Sequence, residues 1–274
     1  MSFNIIPIHN AHTGVIEAGE GAPLVYLHGF ADIHACMGEM QPFHQALAKS
    51  RRLIAPALPG VNGSDELPEG QNTVDDVLFR LLQTFDALKL DAFDLVGHCA
   101  GGWFAAEFAA RFPQRVRSLS LIGASGLFVS GALIGDVFMH AQPERGVDYS
   151  SLRRMLFSSS DHPIALKHYP DIRGDIDTEV RRYQMLRFGS FVGFRPPYFY
   201  NRSLIDRLYR ANMPARVIWG ALDAMVPLAH ADAYAKGLPG SVGAPLVIAG
   251  AGHAVQLESP DAVAAAVMSA VGAA

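Results

Sequence analysis

The segment at residues 97–102, Gly-His-Cys-Ala-Gly-Gly, has the residue types and spacing of a nucleophile on a sharp turn, with Cys99 at its centre. An apolar run of strand type directly precedes it, and a helical pattern begins at Ala100. This context is that of the G-x-S-x-G nucleophile elbow, here with cysteine in the serine position. Such a turn strains the backbone of the central residue, so its neighbours two positions away must be small, as Gly97 and Gly101 are. The turn also places the thiol at a helix N-terminus, where the helix dipole favours the thiolate.

An acid and a histidine follow in the chain order that nucleophile-elbow hydrolases use. Asp223 comes just after one predicted strand, and His253 comes just after the next. We expect His253 to take the thiol proton, and Asp223 to fix the tautomer of His253 and stabilise the imidazolium. We interpret His98, inside the elbow, as a residue that packs behind the site rather than as a base.

An oxyanion site is predicted from the sequence Leu-His-Gly-Phe at residues 27–30, which follows an early strand. The backbone N–H groups of Phe30 and Ala100 would converge on the developing oxyanion. We expect His28 to brace this loop through a side-chain hydrogen bond. His34, in the next loop, and Phe128 are the candidate residues of the substrate pocket. For His34, a simple exposed position is an equally good interpretation.

Apolar strand-like runs alternate with longer helical patterns, which predicts an α/β fold with a mostly parallel sheet flanked by helices. The N-terminal residues 3–18 alternate weakly and are expected to form an antiparallel pair at the sheet edge. The predicted strands are Leu24–Leu27, Leu53–Ala55, Phe93–Val96, Leu119–Ile122, Arg216–Trp219 and Leu246–Ile248, and their continuous hydrophobic character favours strands covered on both faces. The predicted helices are Met40–Lys49, Thr73–Leu88, Ala100–Phe112, Leu228–Gly237 and Asp261–Val271.

Residues 126–206 interrupt this alternation. They hold 12 of the 26 aromatic residues and are punctuated by several prolines. We therefore predict a mostly helical insertion at 126–206 between two parts of one sheet-containing core, 1–125 and 207–274; an ordinary second helical layer is the alternative. The aromatic residues suit a pocket for a small or medium apolar acyl group, or simply pack the insertion onto the core.

The composition of the chain limits the classes of molecule that we expect it to bind. Half of the 274 residues are hydrophobic and 18% are charged, which supplies a large core, and the net charge of −4 argues against nucleic acid as a partner. Two cysteines, Cys36 and Cys99, exclude a disulfide framework. The N-terminus lacks the pattern of a signal peptide, and no apolar run has the character of a membrane span. We therefore expect a soluble, cytoplasmic protein.

No cofactor or metal is predicted, because the sequence shows neither a metal-ligand cluster nor a phosphate-binding loop. The segment Gly60–Gly63 lacks the lysine of a P-loop. The expected partner is a small-molecule substrate with an acyl group, and the sequence leaves the oligomeric state open.

Together these motifs resemble the α/β-hydrolase superfamily over nearly the whole chain. The stretch from Ala55 to Asp65 resembles the loop after the family's fourth strand, and Gly252-His253 followed by Glu258-Ser259-Pro260 is also typical. The resemblance implies a cap at 126–206 and a structural role for Glu258. The cysteine departs from the family's usual serine, and it disfavours dehalogenases and epoxide hydrolases, which use aspartate.

The predicted reaction is hydrolysis of a carboxylic ester, thioester or lactone through an acyl-Cys99 intermediate and a Cys-His-Asp triad. One alternative is a carbon–carbon bond hydrolase of the meta-cleavage-product type, although Ala254 stands where such members often carry tryptophan. The sequence is also compatible with a serine hydrolase in which cysteine has replaced the serine, and with a ligand-binding or sensing member that has little turnover.

Overall fold

Eight strands form one sheet in the computed structural model, which describes residues 1–29, 40–141, 148–172, 174–192 and 199–272. The strands are β1 (Ser2–Ile8), β2 (Ala11–Ala18), β3 (Pro23–Leu27), β4 (Arg52–Pro56), β5 (Phe93–His98), β6 (Val116–Ile122), β7 (Ala215–Gly220) and β8 (Leu246–Ile248). Their order across the sheet is β1-β2-β4-β3-β5-β6-β7-β8. β1 and β2 pair antiparallel, β2 pairs antiparallel with β4, and every pairing from β4 to β8 is parallel. The predicted fold class is therefore confirmed, including the antiparallel N-terminal pair at the edge.

Ten α-helices connect or cover these strands within the described ranges. They are α1 (Pro42–Ala48), α2 (Val74–Ala87), α3 (Ala100–Arg111), α4 (Val137–His140), α5 (Ser150–Leu156), α6 (Pro163–His168), α7 (Ile176–Val192), α8 (Ala229–Gly237), α9 (Val255–Glu258) and α10 (Pro260–Val271). Short 3₁₀ segments add Pro113–Arg115 and Ile205–Arg210. The four helices α4 to α7 all lie between β6 and β7, inside the stretch that the sequence set apart.

Local sequence explains where the helices next to the site begin. Thr73 accepts a hydrogen bond from Asp76 N–H while the Asp76 carboxylate accepts from Thr73 N–H, which is a reciprocal capping box at the start of α2. α3 follows β5 after a single residue, and its Gly- and Ala-rich sequence lets it be buried from Ala100 to Ala110. Because α3 is enclosed by its neighbours, the turn that precedes it has a fixed position above the sheet.

Two apolar clusters lie on opposite faces of the sheet. One includes the buried faces of α2, α3 and α8, and the other includes those of α1 and α10. The expectation that every predicted strand is covered on both faces is wrong for β8, where Val247 is 40% exposed. β8 is the last strand of the sheet and has a neighbour on one side only, so its apolar run is partly open to solvent. No helix among the described residues combines the length and apolar character needed to cross a membrane.

Candidate active site

Cys99 occupies the single residue between β5 and α3. Its backbone angles are φ 54° and ψ −120°, so a non-glycine residue is held in a region that L-amino acids rarely adopt. Cys99 N–H donates to Ile122 O at 3.0 Å, which ties the turn to the end of β6. The side chain is fully buried. Strain of this kind persists only where the surrounding structure determines the conformation, and it is common at functional sites.

Three glycines provide the space for this turn. A Cβ atom on Gly97 would lie 2.3 Å from Gly101 O, and one on Gly101 would lie 2.1 Å from Leu27 O. A Cβ atom on Gly29 would lie 2.3 Å from the Cβ of Cys99. All three separations are far below van der Waals contact. The small residues expected two positions before and after Cys99 are therefore packed against each other and against the end of β3.

His253 and Asp223 form a buried pair at the ends of neighbouring strands. The Nδ1 atom of His253 lies 2.8 Å from Oδ2 of Asp223, and the two side chains are 0% and 1% exposed. The other carboxylate oxygen, Oδ1, accepts hydrogen bonds from the backbone N–H groups of Met225 and Val226 at 2.9 and 2.8 Å. Asp223 is thus fixed by its own loop, and it holds Nδ1 of His253 as the protonated nitrogen.

Gly123, just after β6, makes room for this pair. Its φ angle is 50°, and a Cβ atom there would lie 3.3 Å from both Asp223 Oδ2 and His253 Nδ1. A side chain at this position would press directly on the hydrogen bond between the two residues. The residue after β6 therefore leaves room for the His253–Asp223 pair, and the loop after β7 carries the acid.

The charge of the imidazole is set by its neighbours. Burial of the ring lowers the pKa of His253, but the negative charges of Asp223 and Cys99 outweigh this effect and raise the pKa to about 10. The opposite ring nitrogen, Nε2, is buried and has no partner at hydrogen-bonding geometry within the described chain. The structure thus brings Cys99, His253 and Asp223 together, and the protonated form of the imidazole is favoured beside the carboxylate of Asp223.

His98 packs behind His253. The two ring centroids are 4.9 Å apart, and His98 is fully buried. Its Nε2–H donates to the backbone carbonyl oxygen of His253 at 3.0 Å. The side chain thus joins the elbow directly to the loop of the histidine. The residue pattern indicated packing, but nothing in it indicated this hydrogen bond across 155 positions.

Of the two predicted oxyanion donors, the structure describes Ala100 only. Ala100 is the first residue of α3, where a helix has backbone N–H groups without intrahelical partners. Phe30 lies outside the described residues, as does His34. The chain immediately before Phe30 is described, and a Cβ atom on Gly29 would lie 3.2 Å from Ala100 N. His28 accepts a hydrogen bond from Leu58 N–H at its Nε2, at 3.0 Å, so the expected bracing of this loop is confirmed.

Phe128 lies beside an apolar cavity rather than in its lining. Its side chain is 39% exposed, its ring centroid is 5.2 Å from that of Tyr200, and the Arg202 guanidinium lies 4.3 Å from the ring centroid. Tyr200 does line the cavity, which has a volume of about 390 Å³. The remaining lining residues are Leu133, Ile134, Gly135, Asp136, Phe138 and Phe199.

Backbone hydrogen bonds connect both walls of this cavity to the loops that carry the candidate site residues. Gly135 N–H donates to Met225 O at 2.7 Å, two residues after Asp223. On the other wall, Gly126 N–H donates to Phe199 O at 2.9 Å, and the preceding residue, Ser125, donates its N–H to Cys99 O at 3.2 Å. Phe199 has a φ angle of 55° while it is buried, another strained residue close to the site. The aromatic residues of the sequence indicated a pocket in this region, and Phe199 and Tyr200 are among the residues that line the cavity.

In the part of the chain that the structure describes, no three His, Cys, Asp or Glu side chains come together as metal ligands would. The arrangement described above places a thiol, an imidazole and a carboxylate at one buried site, with a helix N-terminus beside them. Side chains of these types can act chemically as a nucleophile, a base and the group that orients the base.

Comparison with known proteins identifies the family. The sequence profile of the α/β hydrolase fold matches residues 22–260. The chain belongs to the α/β-hydrolase fold family. The prediction of this family is thus confirmed, while the activity of the protein is a matter for proposal.

Two curated relatives differ in how much of the α/β-hydrolase chain they match. The dihydrolipoyllysine-residue acetyltransferase component of the acetoin cleaving system from Pseudomonas putida is 30% identical over 253 residues, which is 89% of this chain. The 2-hydroxymuconate semialdehyde hydrolase from Pseudomonas sp. (strain CF600) is 35% identical over 115 residues, which is 42% of this chain. The matches span 61% and 41% of the lengths of these two relatives.

A solved structure supports the same fold. Naproxen esterase from Bacillus subtilis superimposes with a TM-score of 0.74, at 22% identity over 98% of this chain and 90% of that one. At this level of identity the similarity establishes the α/β-hydrolase fold alone.

Proposed function

We propose that this α/β hydrolase cleaves a carboxylic ester, thioester or lactone through an acyl-cysteine intermediate. The observation that carries the proposal is the buried His253–Asp223 hydrogen bond of 2.8 Å beside a cysteine held on a strained strand-to-helix turn. Nucleophilic catalysis needs a nucleophile, a base next to it and a third group that orients the base, and these three side chains have those properties.

In the proposed first half-reaction, the Cys99 thiolate attacks the carbonyl carbon of the substrate. The carbonyl electrons move to oxygen, and the oxyanion is held by the N–H of Ala100 and by that of Phe30. When the tetrahedral intermediate collapses, the bond to the leaving group breaks. His253 gives its Nε2 proton to the departing oxygen or sulfur, and the enzyme retains a thioester at Cys99.

In the second half-reaction, neutral His253 takes a proton from water at Nε2, and the hydroxide attacks the thioester carbon. Collapse of this intermediate breaks the carbon–sulfur bond, releases the acid and restores the thiolate beside the imidazolium. Asp223 accepts the Nδ1–H bond throughout, which keeps Nε2 directed at the reacting atoms. The raised pKa of His253 supports a protonated imidazole that can give its proton to the leaving group.

The proposed substrate carries an apolar acyl or leaving group. The aromatic cavity of about 390 Å³ supports this class, because it lies between the loop of Asp223 and the chain that follows β6. We also propose that residues 126–206 form a cap on a core made of 1–125 and 207–274. Backbone bonding between the two parts supports this division, since Ala254 N–H, next to His253, donates to Leu156 O at 2.7 Å.

The test uses p-nitrophenyl butyrate, with both the released phenol and the intact protein mass followed over time. We expect release of many equivalents, a transient acyl adduct on Cys99, and loss of both in Cys99→Ala. One equivalent of phenol with a persistent adduct, and turnover restored by Cys99→Ser, would instead identify a serine hydrolase whose nucleophile has been replaced. Binding without phenol or adduct would favour the ligand-binding alternative.

Carbon–carbon bond hydrolysis is the second candidate, favoured by the 35% identity to 2-hydroxymuconate semialdehyde hydrolase. The match spans 115 residues, so it reaches only part of the chain. Incubation with a vinylogous diketone and loss of its visible absorbance would support this reaction. Ester turnover at rates that exceed diketone cleavage by several orders of magnitude would exclude it as the main activity.

A further inference from the structure

Glu258 is a buried carboxylate that the proposed mechanism does not use. It lies at the end of α9, five residues after His253, and its side chain is 3% exposed. Its Oε2 accepts a hydrogen bond from the backbone N–H of Gly252 at 2.6 Å. Its Oε1 accepts from both the N–H and the hydroxyl of Ser158, at 3.0 and 2.6 Å. One carboxylate therefore joins the residue before His253 to the helical insertion.

A second contact with the insertion lies on the other side of His253. Ala254 N–H donates to Leu156 O at 2.7 Å. Between these two contacts, a Cβ atom on Gly252 would lie 2.4 Å from the carbonyl carbon of Phe157. The three residues 156–158 of the insertion are thus bonded to, or packed against, the residues on both sides of His253.

The donors around Glu258 require a hydrogen-bond acceptor at each of its two side-chain oxygens. Gly252 and Ser158 each present a backbone N–H, which cannot turn away or act as an acceptor. Both oxygens must therefore accept, whereas a glutamine would place its NH₂ against one of these N–H groups. A group that can carry a positive charge, His162, lies close by, with its Nε2 3.8 Å from Oε1. Because burial of a charge is costly, such a group is retained where its hydrogen bonds fix a geometry.

We propose that Glu258 is a positioning residue through which Ser158 of the insertion holds the backbone of His253 in its working place. This inference rests on the proposed function, since it assigns a role for His253 that acyl transfer requires. The insertion then affects the catalytic step as well as substrate binding. A displacement of Ser158 would displace Gly252, because the Glu258 side chain is hydrogen-bonded to both. A displacement of about 1 Å at a reacting group costs about 100-fold in rate, so this link affects kcat more than KM.

The test compares Ser158→Ala and Glu258→Gln with a matched control, Ser160→Ala. Ser160 is two residues away, and among the described residues its hydroxyl bonds to Asp161 at the surface. We expect kcat for p-nitrophenyl butyrate to fall about 10-fold in Ser158→Ala and about 100-fold in Glu258→Gln, with KM within about 2-fold of the parent and no change in the control. Equal kcat in all folded variants, with differences in melting temperature alone, would overturn the proposal.

A second readout does not depend on turnover. All variants are made in a Cys36→Ser background, and the rate of Cys99 alkylation by iodoacetamide is measured from pH 5 to pH 10. We expect slower alkylation near pH 7 and a higher midpoint in Ser158→Ala and Glu258→Gln, because a displaced His253 no longer stabilises the thiolate. Failure of the proposed function appears as absent turnover in the parent, and the alkylation profiles then decide the inference alone. Superimposable profiles for Ser158→Ala, Glu258→Gln and Ser160→Ala would refute it.

Discussion

The imidazole of His98 donates from Nε2 to the backbone carbonyl oxygen of His253 at 3.0 Å, so the residue before Cys99 holds His253 directly. His98→Leu removes this donor from a fully buried position and leaves a carbonyl without its partner. We expect kcat to fall about 10- to 100-fold with KM little changed. His98→Gln can place an N–H near the same point, and we expect it to recover most of the loss. Equal kcat for Leu and Gln, measured on folded protein, would contradict a positioning role.

The raised pKa of His253 predicts how stability depends on pH. The folded protein holds this proton up to a pKa of about 10, whereas an unfolded histidine loses it near 6.5. The stabilisation is therefore complete below about pH 6.5 and is lost as pH rises towards 10. Within that window His253 binds more proton in the folded state than in the unfolded state, so its own contribution to the free energy of unfolding falls by up to about 1.4 kcal/mol per pH unit.

Urea unfolding at pH 6, 7, 8 and 9 measures this dependence. His253→Gln is expected to flatten it, while His9→Gln, at an exposed histidine, keeps the parent's slope. Cys99→Ala removes one of the charges that raise the pKa of His253. In this variant, the pH range over which stability falls is therefore expected to end at a lower pH. A parent and a His253→Gln variant with the same slope would show that His253 does not carry this proton linkage.

The close approach of Gly101 to β3 predicts a large structural effect. In Gly101→Ala the new Cβ would lie 2.1 Å from the backbone oxygen of Leu27, which has no flexible end to move away. We expect a loss of about 3 kcal/mol or more in the free energy of unfolding. Gly272→Ala is the matched control, because its nearest neighbour is 3.6 Å away. A Gly101→Ala protein as stable as the parent would mean that the elbow can relax, which its enclosed position argues against.

The cavity beside Tyr200 predicts a change in substrate preference. Phe138 contributes an aromatic ring to its lining, and Phe138→Ala enlarges the space without touching the site at Cys99. We expect the ratio of kcat/KM for p-nitrophenyl octanoate over butyrate to rise about 10-fold. Phe79→Ala, at a phenylalanine that is 61% exposed on α2, should leave the ratio unchanged. An unchanged ratio in Phe138→Ala would place the acyl group elsewhere.

The features that could be predicted from the sequence are those encoded by neighbouring residues. The turn at Cys99 depends on a strand, two glycines and a helix start within a few positions, and α2 begins with a capping box that the residue types reveal directly. The order of the acid and the histidine follows from where strands end. Each of these signals needs no knowledge of distant partners.

The features that could not be predicted depend on contacts across the chain. The partner of His98 lies 155 positions away, and that of Ser158 lies 100 positions away. The exposure of β8 depends on its place at the end of the sheet, which its apolar run does not encode. The roles of Phe30 and His34 stay predictions, since both lie outside the described residues.

The positive φ angle at residue 99 belongs to the main chain. It is maintained by the hydrogen bond from Cys99 N–H to Ile122 O and by glycines that leave room for the turn, and none of these contacts involves the sulfur atom. Replacement of sulfur by oxygen would change the polarizability of the reacting atom and its quality as a leaving group while its location relative to His253 is kept. The fold thus fixes the position of the reacting atom independently of whether that atom is sulfur or oxygen. Diversification of the chemistry at this position then requires one codon change and no rearrangement of the backbone.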